Sequence, residues 1–406
     1  MNDRYAIADG AFELVSDRAR SLTRTRLALI SVLLAFLAIY AFYPSESSSE
    51  RFSLLVRFVA FGVMASLAVV RGSARQEVLA VFSWVTLFFV LAISSSNMPY
   101  FSLRVLNTIS AVIFAAAVVS FTASDYARFI CLKVFDFLLI LAASCIFIQI
   151  FLYLSTGYII EIHGAFFPWG LSRSAEIEKF GIARLSGMFT EPGTHSVYVF
   201  GLLICRALYS GKVFDRISVV GVASIASTLS VWGVGVVLVY CVAYFVSAVQ
   251  RGKSVRNFLG GIATLFFFLI FAFLALPDVF IENILQYFEV RSQLTDGSGS
   301  SKVTAWLMAE ARFDEVAALG LPVTVDFCDG CYSPQDAGLV LSFSMYFGML
   351  AAFVFFSLYF LGLYWSGGWG LVVFGAPFPF SKFFYFDPLV WIIFFSALVT
   401  LFRKRF

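Results

Sequence analysis

The sequence predicts an all-α protein, a polytopic bundle of about 10–12 transmembrane helices in which residues 1–406 form a single integral membrane domain. Composition is the first ground: 61% of the residues are hydrophobic and 13% charged, with 50 Phe. A soluble domain typically carries about 25% charge, so the solvent that suits this surface is lipid. The second is recurrence, because apolar runs long enough to cross a hydrocarbon core of about 30 Å follow one another along the chain. The third is that Lys and Arg gather at the ends of alternate runs. A formal charge of +3 argues for neither nucleic acid nor an acidic substrate.

Residues 1–26 are mixed in charge and lack a small-residue cleavage region after a short apolar core. The first apolar stretch, Leu27 to Tyr43, is therefore expected to be a retained span. Further spans are predicted at 52–70, 78–97, 103–122, 129–154, 195–210, 214–230, 232–249, 257–276, 337–364 and 388–402. The apolar run 217–249 is too long for one span, and Trp232-Gly233 with Gly235 are where it is expected to break. The Gly- and aromatic-rich stretch 366–387 is predicted to form either a short span or a re-entrant segment.

Orientation follows from the basic residues. Arg18, Arg20, Arg24 and Arg26 precede the first span. Arg71/Arg75, Arg128/Lys133, Arg206/Lys212/Arg216, Arg251/Lys253/Arg256 and Arg403-Lys404-Arg405 fall on the same, cytoplasmic side if the span count is even. Two long loops, 156–194 and 277–336, then face outward, and loops of that length are usually functional. The second is acidic overall, with Arg291, Lys302 and Arg312 as its bases. Its stretch Ser301 to Gly320 predicts a short amphipathic helix, with Val303, Trp306, Leu307, Glu310 and Phe313 near one face.

The first loop contains His163 and ends at His195, the two histidines of the chain. It also contains Arg184-Leu-Ser-Gly-Met-Phe-Thr-Glu191-Pro192-Gly193-Thr194-His195, which places a turn and a helix start at a membrane boundary. Arg184, Glu191 and His195 are thereby brought close together; Glu191 could equally serve only the helix dipole, and Arg184 could anchor to lipid phosphates. Arg57 and Arg104 lie in or at the start of spans, where an arginine is costly and suggests function, although snorkelling to headgroups explains it too. Asp136 lies one turn from Lys133, and a local ion pair accounts for it. Cys131, Cys145, Cys205 and Cys241 fit as small hydrophobes, whereas Cys328 and Cys331 flank a tight Asp-Gly turn and are a candidate disulfide in an oxidising location. With no outer Asp-x-Asp pair or His cluster at ligand spacing, neither a metal nor a cofactor is implied.

The pattern R-x-x-G-x-F-x-E-P opening a membrane helix (Arg184 to Pro192) resembles the O-antigen polymerase branch of the O-antigen ligase/polymerase superfamily. Ser227-Thr228-Leu229-Ser230 in a broken apolar run, Lys302-x-x-x-Trp306 in a large outer loop, and Asp336-Ala-Gly-Leu before Phe347-Gly348-Met349-Leu350 follow in the same order, so the likeness covers roughly residues 180–365. The family often has Arg where Lys302 stands, and a ligase would usually present a His-Asn-type pair where this chain has Gln335-Asp336. The resemblance implies a metal-independent glycosyltransferase of a bacterial inner membrane that joins polyprenyl-pyrophosphate-linked oligosaccharide repeats on the outer face. It also implies membrane lipid, a chain-length regulator and a flippase as companions. On that reading Arg184, helped by Arg57, Arg104, Arg291, Lys302 and Arg312, would bind pyrophosphate or glycan, because cations stabilise a departing pyrophosphate. Glu191, His195 and Asp336, in that order, are the candidates for the base that deprotonates the acceptor hydroxyl. A lipid-linked sugar flippase, an O-antigen ligase and a non-catalytic assembly partner are the alternatives.

Overall fold

The computed structural model describes residues 103–122, 125–167, 184–250 and 338–403, with positions 38, 39, 56, 59, 303, 304, 306, 307, 310 and 320. Among these, all regular structure is helical. The helices are α1 (Leu103–Phe121), α2 (Asp125–Thr156), the one-turn α3 (His163–Phe166), α4 (Pro192–Ser210), α5 (Arg216–Ser227), α6 (Val231–Gln250), α7 (Leu339–Phe347), α8 (Met349–Gly375) and α9 (Pro388–Arg403). Among the described residues, three stretches are long and apolar enough to cross a membrane: Ala127–Thr156 in α2, Val231–Gln250 in α6, and Met349–Phe380, which is α8 with the 3-10 turn after it. The expected spans at 78–97 and 257–276, and the candidate disulfide Cys328/Cys331, lie outside the described residues, as do nearly all of 27–43 and 52–70.

Helix α4 is the axis of the described fold. Every residue from His195 to Tyr209 is buried, so this helix is enclosed on all sides. It packs against α2, α5, α6, α8 and α9. Pro192 opens it after the extended residue Glu191, and left-handed Gly211 closes it by donating to the Ala207 carbonyl. Glycines let neighbours approach: a side chain at Gly201 would meet Leu389 and Phe383 at 2.6 Å, and one at Gly362 would meet Ala397. Such small-residue contacts are how helices pack where water supplies no hydrophobic drive between them.

Several polar groups at the Asp215 end of the bundle are paired across helices. Arg128 donates to the Tyr209 carbonyl at 2.8 Å, covering a helix C-terminus that would otherwise leave carbonyls bare. Buried Arg206 binds Asp136 of α2 at 2.6 Å and Asp215 at 2.5 Å, and also donates to Ser218. The expected local pair of Asp136 with Lys133 is present at 3.8 Å with a half-exposed lysine, and the buried Arg206 guanidinium adds a second, closer partner. Asp215 also caps α5, accepting from the Ser218 amide at 2.9 Å.

The run 217–249 does break, but before the expected glycines. Helix α5 ends at Ser227, and α6 starts at Val231 with Trp232, Gly233 and Gly235 inside its first turns. Thr228 folds its hydroxyl back onto the Ile225 carbonyl and accepts from the Ser230 amide, and Leu229 takes a φ of 51°. A side chain competing for backbone bonds ends the helix here, and Gly233 instead gives Ser196 room. The expected span 337–364 is likewise two helices, parted at Gly348 with φ 86° and ψ 154°.

Helix α8 reverses at Gly368, whose φ of 71° and ψ of −164° lie in a region essentially reserved for glycine. In a straight helix Tyr359 and Gly375 would be about 24 Å apart. Instead the Tyr359 hydroxyl donates to the Gly375 carbonyl at 3.1 Å, and Phe378 packs on the Tyr359 ring. Gly368 neighbours Gln250, Gly370 neighbours Ser247, and Phe374 meets Tyr240, so the chain climbs back along α6. The stretch 366–387 therefore begins with a reversal and folds back along α6. In the 301–320 stretch, positions 303, 304, 306, 307 and 310 are helical, with Val303, Trp306 and Leu307 exposed rather than packed inward.

Gly368→Ala forces a Cβ into that backbone conformation and is expected to cost about 1–3 kcal/mol, seen as a lowered thermal midpoint in detergent. An unchanged midpoint would mean that the reversal is not formed. A second prediction concerns pH. Burial pushes the Asp215 carboxyl up, but the Ser218 amide and Arg206 outweigh it and hold it below its ordinary value of 3.8. Stability from this group is then complete above 3.8 and is lost as pH falls through the depressed folded value. The midpoint gap between the wild type and Asp215→Asn is expected to be full at neutral pH and to close only in acid below 3.8.

Candidate functional site

The site is built where the segment 184–191 meets the start of α4. Gly187, at φ 61°, turns the chain so that the Phe189 amide reaches the Ser186 carbonyl at 3.1 Å. Gln149, deep in α2, holds this turn from below. Its Oε1 accepts from the Gly187 amide at 2.9 Å, and its Nε2 donates to the Ile160 carbonyl at 2.7 Å. His163 of α3 holds it from the side, with Nδ1 3.0 Å from the Met188 carbonyl. A carbonyl can only accept, so Nδ1 carries the proton. The His163 ring is buried and stacks on Phe167, which makes it a structural clamp.

The turn buries its apolar side and leaves its polar ends accessible. Leu185, Met188, Phe189 and Thr190 are buried, whereas Arg184, Glu191, Gly193 and Thr194 are partly exposed. Glu191 is the N-cap residue of α4, but its side chain makes no capping hydrogen bond. A Cβ built on Gly193 would meet nothing within 4 Å, so the first turn of α4 has open space beside it. A helix start with exposed amides favours an anion.

His195 differs from the expectation in its surroundings. It is fully buried and turned into the bundle, with Nε2 3.2 Å from the Ser224 hydroxyl of α5. Ser224 in turn donates to the Gly221 carbonyl at 2.8 Å. Beside them Ser196 and Thr228 share a hydrogen bond of 2.9 Å. In this arrangement His195 ties α4 to α5, and Glu191 is the acid–base candidate at the accessible mouth. Phe189 sets its ring edge-on to His195 and stacks flat on Tyr198.

Of the other expected site residues, Arg104 lies in the first turn of α1, at the end opposite Thr122, which bonds Tyr209 near the far end of α4. Arg57, Arg291, Lys302, Arg312 and Asp336 lie outside the described residues. The fold adds groups that the sequence did not single out: Gln149, Ser224, Tyr198 and Asp387. Gln149 could have been found as a lone amide in an apolar run, and Asp387 as a helix cap before Pro388. Cys145 and Cys205 are buried free thiols among apolar neighbours, and Cys131 and Cys241 are partly buried. Among the described residues no group of three or more His, Cys, Asp or Glu could hold a metal ion.

These features define a helical protein of membrane-spanning character with a polar mouth at the start of its central helix. No protein-family model matches the chain, and no curated protein matches it either.

Gln149→Leu would strip the Gly187 amide and the Ile160 carbonyl of their shared partner. It is expected to cost about 1–3 kcal/mol and to speed hydrogen exchange at the Gly187 amide. Retained protection there would show that the turn does not depend on α2.

Proposed function

We propose that this protein is a polytopic inner-membrane glycosyltransferase, a polymerase that joins polyprenyl-pyrophosphate-linked oligosaccharide repeats. The observation that carries the reading is the mouth of α4, where Arg184 and Glu191 are both partly exposed on either side of one braced turn. Beside them the α4 N-terminus is open at Gly193. A cation and a helix N-terminus suit a pyrophosphate, and a nearby carboxylate suits a hydroxyl that must lose its proton. The resemblance of Arg184 to Pro192 to the O-antigen polymerase pattern supports the same reading.

In the proposed reaction the acceptor sugar hydroxyl attacks the anomeric carbon of the donor glycan. The bond from that carbon to the pyrophosphate oxygen breaks, the polyprenyl pyrophosphate departs, and Glu191 takes the hydroxyl proton. Arg184 and the α4 amides stabilise the charge that develops on the leaving group. The basic residues Arg128, Lys133, Lys212 and Arg216 gather at the Asp215 end, which supports a cytoplasmic location for that end and an outer location for the mouth. Asp136, a charged residue within a predicted span, is neutralised by Arg206 near the same end.

Complementation of a deletion strain tests the reading. Arg184→Ala and Glu191→Ala are each expected to lower the yield of long glycan chains at least tenfold, while single lipid-linked repeats still reach the outer face. A full-length ladder in the deletion strain would sink the polymerase reading. Repeats trapped on the cytoplasmic face would point to a flippase, and repeats polymerised but not attached to their final acceptor would point to a ligase.

A further inference from the structure

Asp387 is fully buried, and nothing about its sequence position 196 residues beyond Glu191 (387 − 191) connects it with the mouth of α4. Its carboxyl group makes two bonds of different kinds. Oδ2 accepts from the Phe384 amide at 2.9 Å, and the Val390 amide bonds the Asp387 carbonyl, which together close the turn that starts α9. Those bonds are local and serve only the turn that leads into α9. Oδ1 instead accepts from the Tyr198 hydroxyl of α4 at 3.2 Å, a bond that no cap requires.

Tyr198 stands one turn beyond His195 on the same face of α4. Its ring lies flat against Phe189, with centroids 5.7 Å apart and an interplanar angle of 4°. Phe383 closes the other side of Tyr198 edge-on at 5.4 Å. Phe189 belongs to the turn whose ends are Arg184 and Glu191, and its ring also meets His195 edge-on at 5.2 Å. A continuous path thus runs from Asp387 through the Tyr198 phenol and the Phe189 ring to the turn. Burying a carboxyl group in such an apolar bundle is costly, and a cap at the membrane boundary could be left wet at no such cost.

We propose that Asp387 is a positioning residue of the Arg184–Glu191 mouth, acting through Tyr198 and Phe189. The inference rests on the site proposed above. Tyr198 is oriented by its hydroxyl, and its ring sets the depth at which Phe189 seats. The seat of Phe189 fixes the angle at which the turn presents its two polar ends.

Hydrogen exchange by mass spectrometry on the full-length protein in detergent tests this without reference to activity. Tyr198→Phe is the decisive variant, because it removes the hydroxyl that donates to Asp387 while keeping the ring and the Phe384–Asp387 turn. It and Asp387→Ala, which removes the acceptor, are each expected to raise exchange at residues 184–191 at least fivefold, with α2 and α8 unchanged. Unchanged exchange at 184–191 in Tyr198→Phe, or an equal rise throughout the chain, would overturn the proposal. In the complementation assay both variants are expected to shorten the glycan, and the double variant to be no worse than the poorer single one, since both break one bond. Additive losses would count against a shared path. If Arg184→Ala and Glu191→Ala leave chain length untouched, the polymerase reading fails while the exchange result still decides the positioning role.

Discussion

The described fold depends on the complete burial of α4. A helix enclosed on every side can keep a polar side chain only if a neighbour satisfies it, because an unpaired polar group in an apolar interior costs several kcal/mol. The polar residues of α4 therefore dictate where its neighbours stand. Arg206 requires Asp136 from α2 and Asp215 before α5. Tyr209 accepts from Ser396 of α9 and Thr122 after α1. His195 and Ser196 meet Ser224 and Thr228 of α5, and Tyr198 meets Asp387 before α9. Apolar packing brings the helices together, and these bonds fix their register.

The two ends of α4 solve this requirement with different chemistry. At the Asp215 end the partners are charged, and breaking a buried ion pair leaves an uncompensated charge, so that end is rigid. At the Glu191 end the inner partners are hydroxyls, rings and amides with one buried carboxyl, Asp387, and Arg184 and Glu191 stay partly exposed at the rim. The reversal at Gly368 contributes to that asymmetry. The first limb of α8 runs away from the mouth, and the returning limb carries the chain back to Phe383 and Asp387. Without the reversal, α9 could not begin beside Tyr198.

Much of this was legible in the sequence, because apolar helices declare themselves by their uninterrupted apolar runs. The helices expected at 195–210, 214–230, 232–249 and 388–402 appear at Pro192–Ser210, Arg216–Ser227, Val231–Gln250 and Pro388–Arg403. The misplaced break between α5 and α6 has a physical reason. Glycine signals a possible break, but here Thr228 makes it by bonding the backbone, and the nearby Gly233 answers a packing need on another helix. The partners of Asp136 and His195 were not legible for a related reason. Local spacing offered Lys133 to Asp136, yet the stronger partner came from α4, 70 residues on, and only the packed bundle shows that. Tertiary pairing of this sort leaves no periodic trace.

Burial separates the first two candidate bases on the proposed reading, Glu191 and His195, in the order in which the sequence named them. A group that takes a proton from a sugar hydroxyl must lie within hydrogen-bond reach of it. His195 spends Nε2 on Ser224 and is enclosed by Phe189, so reaching it would require dismantling the contacts that brace the turn. Glu191 is already at the rim, in an extended residue that has not entered the helix, and its carboxylate is not committed to capping the amides of α4. Those amides and Arg184 share the rim with it. On the proposed reading the same turn separates two tasks: its buried face holds the helices in register, and its partly exposed ends, Arg184 and Glu191, would meet the substrate.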